Sequence, residues 1–365
     1  MKIKVFLAVL LLLPIFFMVA ATKIPRWPDK PVVIQARAVT EGVRTAGDAA
    51  DDSVIYINED DPKKSLIIGT DKQSGVSVYD LSGKRIQEFL DGELNNIDIR
   101  YGFKWKNRSF ALVSAGNRST NSIDLYLVDK KTNKLEKLPD GTYPTSLEIY
   151  GSCMYKNLEK NQIYIFANSK EGDVIQYKVV NQEDKAPTLE VVRTFNVGSQ
   201  VEGCVADDLY ERFYIGEEKV GIWQYGANPQ DKEERMLIDS TGVDGNLVAD
   251  VEGLTLYRTN KHGYLLASSQ GEDAYTIYSR KTGVYIGKFQ VEYNGLLVRN
   301  TDGIEASSHY LGKKYPNGLV VVQDGNSTYE RQSFKLISWQ DLALSFSPPL
   351  RMGNRDSIIE RDDDD

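Results

Sequence analysis

Short runs of β-branched and aromatic residues recur along the chain, and turns rich in Gly, Asn and Asp separate them. The runs alternate apolar with polar positions or stay apolar for four to seven residues, a pattern typical of β-strands. Examples are SVIYI, SLIIGT, SIDLYLV, QIYIFA, RFYIGE and GYLLASS. Since no sustained 3.6-residue period follows the N-terminal segment, the pattern predicts an all-β protein.

A repeat of about fifty residues orders these predicted strands. An acidic residue followed by Gly occurs at Glu202, Glu252 and Asp302, a spacing of 50 residues each time. Upstream, the segments 51–57, 96–102 and 149–155 hold comparable places at roughly the same interval. Six units of about four antiparallel strands predict a six-bladed β-propeller, closed by pairing of the segment 333–337 with the first blade. The alternative is a β-sandwich array in which this spacing is accidental.

The N-terminal segment has the pattern of an export signal. Two lysines precede an apolar run from Val5 to Val19, which is short for a membrane span, and the small residues Ala20 and Ala21 follow. We therefore expect an exported protein, secreted or periplasmic. The predicted parts are a signal peptide over 1–21, a propeller domain over 22–345 and a polar, acidic tail over 346–365.

Acidic residues cluster at the predicted starts of the innermost strands, which line the central channel of a propeller. Because these starts point to one mouth of the channel, we expect their carboxylates to converge there. Like charges packed together repel, so the cluster requires a cation. Calcium accepts six to eight oxygen ligands in irregular geometry, which suits such a ring. The residues are Asp51, Asp52, Asp98, Glu202, Glu252 and Asp302.

Three basic residues follow the predicted second strands of the first three units, namely Lys72, Arg118 and Lys170. Each alone could be an ordinary surface charge. Together, at matching places beside an acidic ring, they indicate a site that holds several phosphate groups at once with the help of metal ions. A glycosidase with two catalytic carboxylates is the competing interpretation of the ring, and it leaves the other acids unexplained.

Composition narrows the chemistry further. The formal charge is −8, which argues against nucleic acid or an anionic membrane as partner. Only two histidines occur, His262 and His309, so a His-rich zinc site is disfavoured. The two cysteines, Cys153 and Cys204, lie in strand-like segments, where a disulfide and a pair of buried thiols are equally compatible with the sequence.

Several motifs resemble those of the β-propeller (alkaline) phytases in their order and approximate spacing. They include DAADDSVIY (48–56), LNNIDIRY (94–101), AGNRS (115–119), VEGCVADD (201–208), DVEGLTLY (250–257) and TDGI (301–304). The resemblance covers essentially the whole chain after residue 21. It implies a six-bladed propeller that releases phosphate from myo-inositol hexakisphosphate (phytate), a 3-phytase that binds several calcium ions and uses a metal-activated water molecule.

The resemblance also implies roles for individual residues. Phosphate binding falls on Lys72, Arg118, Tyr150 and Lys170, with Glu171 beside the site. Glu217 is a near-equal alternative to Glu218 as a calcium ligand, and Asp324 is a further candidate for a structural calcium. The implied calcium ligands are Asp51, Asp52, the backbone carbonyl of Ile97, Glu202, Glu218, Glu252 and Asp302.

Two other functions compete with phytate hydrolysis. One is a non-catalytic, calcium-stabilised propeller used for binding, and the other is a different calcium-dependent propeller hydrolase such as a lactonase. Neither needs a cluster of three cations, so Lys72, Arg118 and Lys170 favour a phosphate substrate. The expected partner is a small molecule, phytate as its calcium complex, and a monomer is the default expectation.

Overall fold

The computed structural model describes residues 30–182, 185–326 and 328–353. The strands form six sheets, which are the six blades of a propeller. The strands of each blade are antiparallel and follow sequence order from the channel outward, apart from two short N-terminal strands at the outer edges of blades 5 and 6, the first of which pairs in parallel. The predicted all-β, six-bladed fold is therefore confirmed.

Two short strands precede the first complete blade. They are β1 (Val32–Gln35) and β2 (Ala38–Val39). Blade 1 then contains β3 (Ala50–Tyr56), β4 (Leu66–Asp71), β5 (Gly75–Asp80) and β6 (Arg85–Phe89). Blade 2 contains β7 (Leu94–Trp105), β8 (Arg108–Asn117), β9 (Ser122–Asp129) and β10 (Lys134–Pro144). Blade 3 contains β11 (Ile149–Asn157), β12 (Gln162–Ser169), β13 (Asp173–Val180) and β14 (Thr188–Asn196).

The second half of the ring repeats this arrangement. Blade 4 contains β15 (Val201–Asp207), β16 (Arg212–Glu217), β17 (Gly221–Gly226) and β18 (Arg235–Ser240). Blade 5 contains β19 (Val251–Thr259), β20 (His262–Ser269), β21 (Ala274–Ser279) and β22 (Tyr285–Tyr293), with the short β23 (Leu296–Leu297) added. Blade 6 contains β24 (Ile304–Ser307), β25 (Leu319–Asp324) and β26 (Ser333–Ser338). The described helices are the 3-10 turns Pro62–Lys64 and Gln270–Glu272 and the helix α1 (Trp339–Leu344).

The first strand of each blade lines the central channel. These inner strands contact one another in a closed cycle, from β3 through β7, β11, β15 and β19 to β24 and back to β3. The ring closes because β2 pairs antiparallel with β26 and becomes the outermost strand of blade 6. Residues 333–337 take part in the closure as predicted, but their partner is the N-terminal strand β2 within blade 6 and not a strand of the first blade.

Apolar side chains pack between neighbouring blades. Where blades 5 and 6 meet, for example, the Tyr257 ring stacks on the indole of Trp339 with ring centres 3.5 Å apart. The packed part of the chain extends to residue 353, into the segment predicted as tail, because Phe346 and Leu350 are buried in the same core. The predicted signal peptide, residues 1–21, lies outside the described residues. Within the described ranges, no helix is long and apolar enough to cross a bilayer.

Candidate active site

The starts of the inner strands deliver side chains to one mouth of the channel. In blades 1 to 5 the second residue of the inner strand takes this place, and in blade 6 it is a residue just before β24. These side chains line a cavity of about 610 Å³, called here the mouth cavity. The six residues are Asp51, Asn95, Tyr150, Glu202, Glu252 and Asp302.

A β-bulge lies at this position in each of blades 1 to 5. The register between first and second strands shifts between Ala50 and Ser53 in blade 1, and between Val201 and Cys204 in blade 4. The same shift occurs in blades 2, 3 and 5. Bulged residues leave the hydrogen-bonded ladder and turn their side chains in a new direction. The bulges therefore explain how side chains at the ends of five strands aim at one cavity.

Glycine follows the mouth residue in blades 3 to 6 because the next inner strand approaches closely. A Cβ at Gly203 would lie 2.2 Å from the Glu252 carbonyl oxygen, and one at Gly151 would lie 2.1 Å from the Glu202 carbonyl oxygen. The acid–Gly repeat thus combines a ligand side chain with a position that admits only glycine.

The second strands contribute the other half of the cavity wall. The first residue after β4, β8 and β12 is Lys72, Arg118 and Lys170 respectively, and all three line the mouth cavity as predicted. The equivalent residue after β16 is Glu218, and after β20 it is Gln270. The propeller therefore places cations on blades 1 to 3 and an acid on blade 4.

Three buried glutamates form the tightest cluster. Carboxylate oxygens of Glu202, Glu218 and Glu252 lie within 4.8 Å of one another. Burial and the neighbouring charge of Glu202 raise the pKa of Glu218 to about 7. The same two causes raise the pKa of Glu252 well above its usual value. The cluster is thus unfavourable when fully ionised unless positive charge lies beside it.

Asp51 and Asp302 extend the acidic wall toward Lys72. The Lys72 ammonium lies 2.9 Å from Asp302 Oδ2 and 4.0 Å from Asp51 Oδ1, and the exposed Asp48 lies 3.0 Å from it. Burial acts to lower the pKa of Lys72, but the Asp302 and Asp51 carboxylates outweigh it and raise that pKa. Burial, partly offset by Lys72, raises the pKa of Asp302 to about 6.

The donor set fits a hard cation such as calcium. The carboxylate and amide side chains on the acidic wall offer oxygen ligands, and neither histidine nor thiolate lines the mouth cavity. Asp51 Oδ2 is buried and has no hydrogen-bond partner. An uncompensated buried carboxylate oxygen is costly, and coordination to a cation would satisfy it.

The cationic side of the mouth centres on Tyr150. The Lys170 ammonium lies 4.4 Å from the centre of the Tyr150 ring, and the Arg118 guanidinium carbon lies 5.8 Å from it. Arg118 also donates a hydrogen bond of 3.4 Å to Asn95 Oδ1. Glu171 is exposed next to Lys170 and is not among the residues that line the cavity. Its predicted role beside the site stays a prediction.

Asp52 and Asp98 do not join the mouth, contrary to the prediction. Both line a second cavity of about 580 Å³ deeper in the channel, the channel cavity, together with Ile97. Asp98 is three residues beyond the mouth residue Asn95, which places it about 10 Å further along the strand, and it pairs with Arg100 at 2.8 Å. Asp52 accepts a hydrogen bond from the Ile97 amide at 3.2 Å. Calcium ligation by Asp52 and the Ile97 carbonyl stays a prediction, at a place separate from the mouth.

The structure shows the surroundings of Glu217 and Asp324, the two further candidates for calcium binding. Glu217 accepts hydrogen bonds from Ser199 Oγ (2.6 Å) and Trp223 Nε1 (2.7 Å), whereas its neighbour Glu218 lines the mouth cavity. Asp324 forms a buried ion pair with Lys335 at 2.6 Å. The Lys335 ammonium therefore supplies positive charge beside Asp324, the further candidate for binding a structural calcium.

Amide side chains also take part in the site, and the sequence did not indicate two of them, Gln200 and Gln270. Asn95 Nδ2 donates to Glu202 at 3.2 Å, Gln200 Nε2 donates to Glu218 at 2.7 Å, and Gln270 Nε2 donates to Asp302 at 2.7 Å. Asn95 and Gln270 occupy the same blade positions as the predicted residues. An alignment of the repeats by position rather than by charge would have found Gln270.

Comparison with known proteins identifies the family of the chain. The sequence model of the phytase family matches residues 2–357. The 3-phytase of Bacillus subtilis (strain 168) is 38% identical over 323 residues, which cover 85% of this chain and 84% of that protein. The chain therefore belongs to the phytase family.

Proposed function

We propose that the protein is a calcium-dependent phosphomonoester hydrolase that releases phosphate from phytate at the mouth cavity. Its membership of the phytase family and the name of its Bacillus subtilis relative support this substrate. The observation that carries the proposal is one cavity in which buried carboxylates face three cationic side chains. Carboxylates suit a divalent cation, and the cations suit phosphate oxygens.

The charge of the cavity makes added cations necessary for such a substrate. Seven carboxylates and three basic side chains line it, an excess of negative charge that repels a polyanion. The residues that would hold calcium are Asp51, Glu202, Glu218, Glu252 and Asp302. Calcium bound by them would supply the charge that offsets both these carboxylates and the phosphates and would lower the pKa of water.

The cationic side chains of the protein orient the substrate. Arg118 can bind two phosphate oxygens at once, since its guanidinium is planar and carries paired N–H donors. Lys170 and Lys72 act as point charges on either side of it. Phosphoryl transfer to water requires mainly positioning and charge stabilisation, which these three groups provide without a covalent intermediate. The Lys170 ammonium lies over the Tyr150 ring, where a cation–π contact favours it.

The basic side chains also bear on the competing functions. A calcium-dependent lactonase or a purely binding propeller has no anionic substrate groups that need three cations. In this cavity the cations lie on three consecutive blades and at equivalent positions. This regularity favours a substrate with several phosphates.

Phosphate release from sodium phytate tests the proposal directly. The purified protein should release phosphate in CaCl₂, lose that activity in excess EDTA and regain it when calcium is restored. Glu202→Gln should reduce the rate at least about tenfold, because a cluster ligand is lost. Undiminished release in EDTA would contradict the metal dependence, and no release under any condition would favour a binding protein.

We also propose that the protein is exported. The support is the apolar segment behind two lysines at the N-terminus together with the disulfide between Cys153 and Cys204, because such bonds persist in oxidising compartments. Fractionation of the producing cells would test this, and retention of the protein in the reducing cytoplasm would contradict it.

A further inference from the structure

A disulfide joins blades 3 and 4 just below the mouth cavity. Cys153 on β11 and Cys204 on β15 are bonded, with their Cα atoms 5.7 Å apart. They are 51 residues apart in sequence, about one repeat, and both are buried. The bond therefore connects two inner strands of the ring at nearly equivalent heights.

At the junction that it bridges, a blade with a cationic mouth group meets a blade with acidic mouth groups. Lys170 and Tyr150 belong to blade 3, on the cationic side. Glu202 and Glu218 belong to blade 4, on the acidic side. The placement of blade 4 against blade 3 thus sets the distance between the groups suited to phosphate and the groups suited to a divalent cation.

The strand ladder does not fix the two mouth residues at this junction. Tyr150 lies between the paired residues Ile149 and Gly151, and Glu202 precedes Cys204 within a bulge that begins after Val201. Neither mouth residue has a paired partner on the second strand. Cys204 is the first residue of β15 that regains one, opposite Ile215. The disulfide therefore anchors the chain where the bulge ends.

Next to the mouth residues, a second link across the junction passes through one side chain. The Gly151 amide donates to Asn168 Oδ1 at 3.0 Å, and Asn168 Nδ2 donates to the Glu202 carbonyl at 2.8 Å. On the two sides of blade 6, direct backbone bonds make such links, for example from the Gly303 amide to the Asp51 carbonyl at 2.9 Å. A side-chain bridge has more rotational freedom than a backbone bond, so the covalent bond adds rigidity beside the two mouth residues.

We propose that the Cys153–Cys204 disulfide is a positioning element of the site, which holds the cationic and acidic halves of the mouth at the separation that a polyphosphorylated ligand spans. This inference rests on the proposed function. A purely structural disulfide would raise the melting temperature without changing affinity for the ligand. A positioning disulfide changes affinity and KM as well, because a misplaced half loses its contacts with the bound phosphates.

The test compares Cys153→Ala/Cys204→Val with a matched core variant, Leu336→Ala. Leu336 is fully buried in β26, in blade 6, so its truncation lowers stability without touching the junction. For each protein, calorimetry in CaCl₂ measures the affinity for myo-inositol hexakissulfate, a non-hydrolysable analogue. Phytate kinetics and thermal melting provide KM, kcat and the melting temperature.

We expect the double cysteine variant to lose about tenfold in analogue affinity and to gain a similar factor in KM, with a smaller change in kcat. Leu336→Ala should have a lower melting temperature and an unchanged affinity for the analogue. Wild-type affinity in a destabilised cysteine variant would overturn the positioning role. If that variant does not fold, wild-type protein reduced with a phosphine below its melting temperature takes its place, with the same two outcomes. Analogue binding without phytate hydrolysis by the wild type would contradict the proposed function and leave this comparison decisive.

Discussion

At the scale of single residues, position within the blade determines which side chain reaches the site. Glu217 is the last residue of β16 and is held by Ser199 and Trp223, whereas Glu218 is the first residue beyond the strand and lies in the mouth. Two adjacent residues with the same charge thus have different surroundings. The pair offers a controlled comparison.

Glu218→Gln should weaken calcium binding at least about tenfold, because a ligand oxygen loses its charge in a cluster of three carboxylates. Glu217→Gln should leave calcium affinity within about twofold of wild type. Calorimetric titration with CaCl₂ measures both. Equal losses in the two variants would contradict the assignment of Glu218 to the site.

The two ends of β8 provide a second comparison. Arg118 follows the strand at the mouth, whereas Arg108 begins it at the opposite end and pairs with Asp129. Arg118→Ala should lower kcat/KM for phytate by about a hundredfold, since phosphate contacts are lost. Its melting temperature in calcium should stay near that of wild type. Arg108→Ala should keep wild-type kinetics, and normal kinetics in Arg118→Ala would reassign Arg118 as ordinary surface charge.

Which residues lie at the mouth could be predicted well where a repeat fixed the position and poorly where charge alone was the guide. Lys72, Arg118 and Lys170 were found because each directly follows a strand with a clear end. The predicted place of Asp98 at the mouth was wrong, because the acidic residue nearest to the expected position was chosen. The structure has Asn95 at that position. A bulge shifts the register of side chains, and the alternation of apolar residues does not reveal it.

At the scale of elements, the bulge and the following glycine form one unit. The bulge turns the mouth residue into the cavity, and the glycine lets the next inner strand lie against it. The recurring acid–Gly pair at Glu202, Glu252 and Asp302 therefore has a structural as well as a chemical cause.

Gly203→Ala should destabilise the protein by about 2–3 kcal/mol, because its Cβ would lie 2.2 Å from the Glu252 carbonyl oxygen and would push blades 4 and 5 apart. Gly242→Ala is the matched control, since its Cβ would meet nothing closer than 3.6 Å. Denaturant unfolding in calcium measures both free energies. Equal stability of the two variants would show that the inner strands tolerate more separation than the structure indicates.

At the scale of the whole molecule, the fold was predictable and its closure only in part. The fifty-residue repeat and the short strands specified six blades. The segment that completes blade 6 is β2, two residues long, and no hydrophobic pattern distinguishes so short a strand from a loop. Its pairing with β26 depends on the geometry of the closed ring, which a local pattern does not contain.

The acidic mouth should make stability depend on pH when calcium is removed. Burial raises the pKa of Glu218 to about 7 and that of Asp302 to about 6, so the folded protein favours their protonated forms. Their contribution is fully present below the unfolded-state pKa values, near 4, and is lost as the pH rises through 6 and 7.

In EDTA, the melting temperature should therefore fall between pH 5 and pH 8, and added calcium should recover more of it at pH 8 than at pH 5. Differential scanning calorimetry at matched ionic strength measures this trend. A melting temperature in EDTA that rises over this range would contradict the raised pKa values.

The central claim is that cations bound by the inward-facing carboxylates convert a repulsive mouth into a binding site for clustered phosphates. Titration of the wild-type protein with myo-inositol hexakissulfate, once in CaCl₂ and once in EDTA, tests it most directly. We expect an affinity at least about a hundredfold higher in calcium, equivalent to roughly 3 kcal/mol of binding free energy. Equal affinity in the two solutions would contradict it.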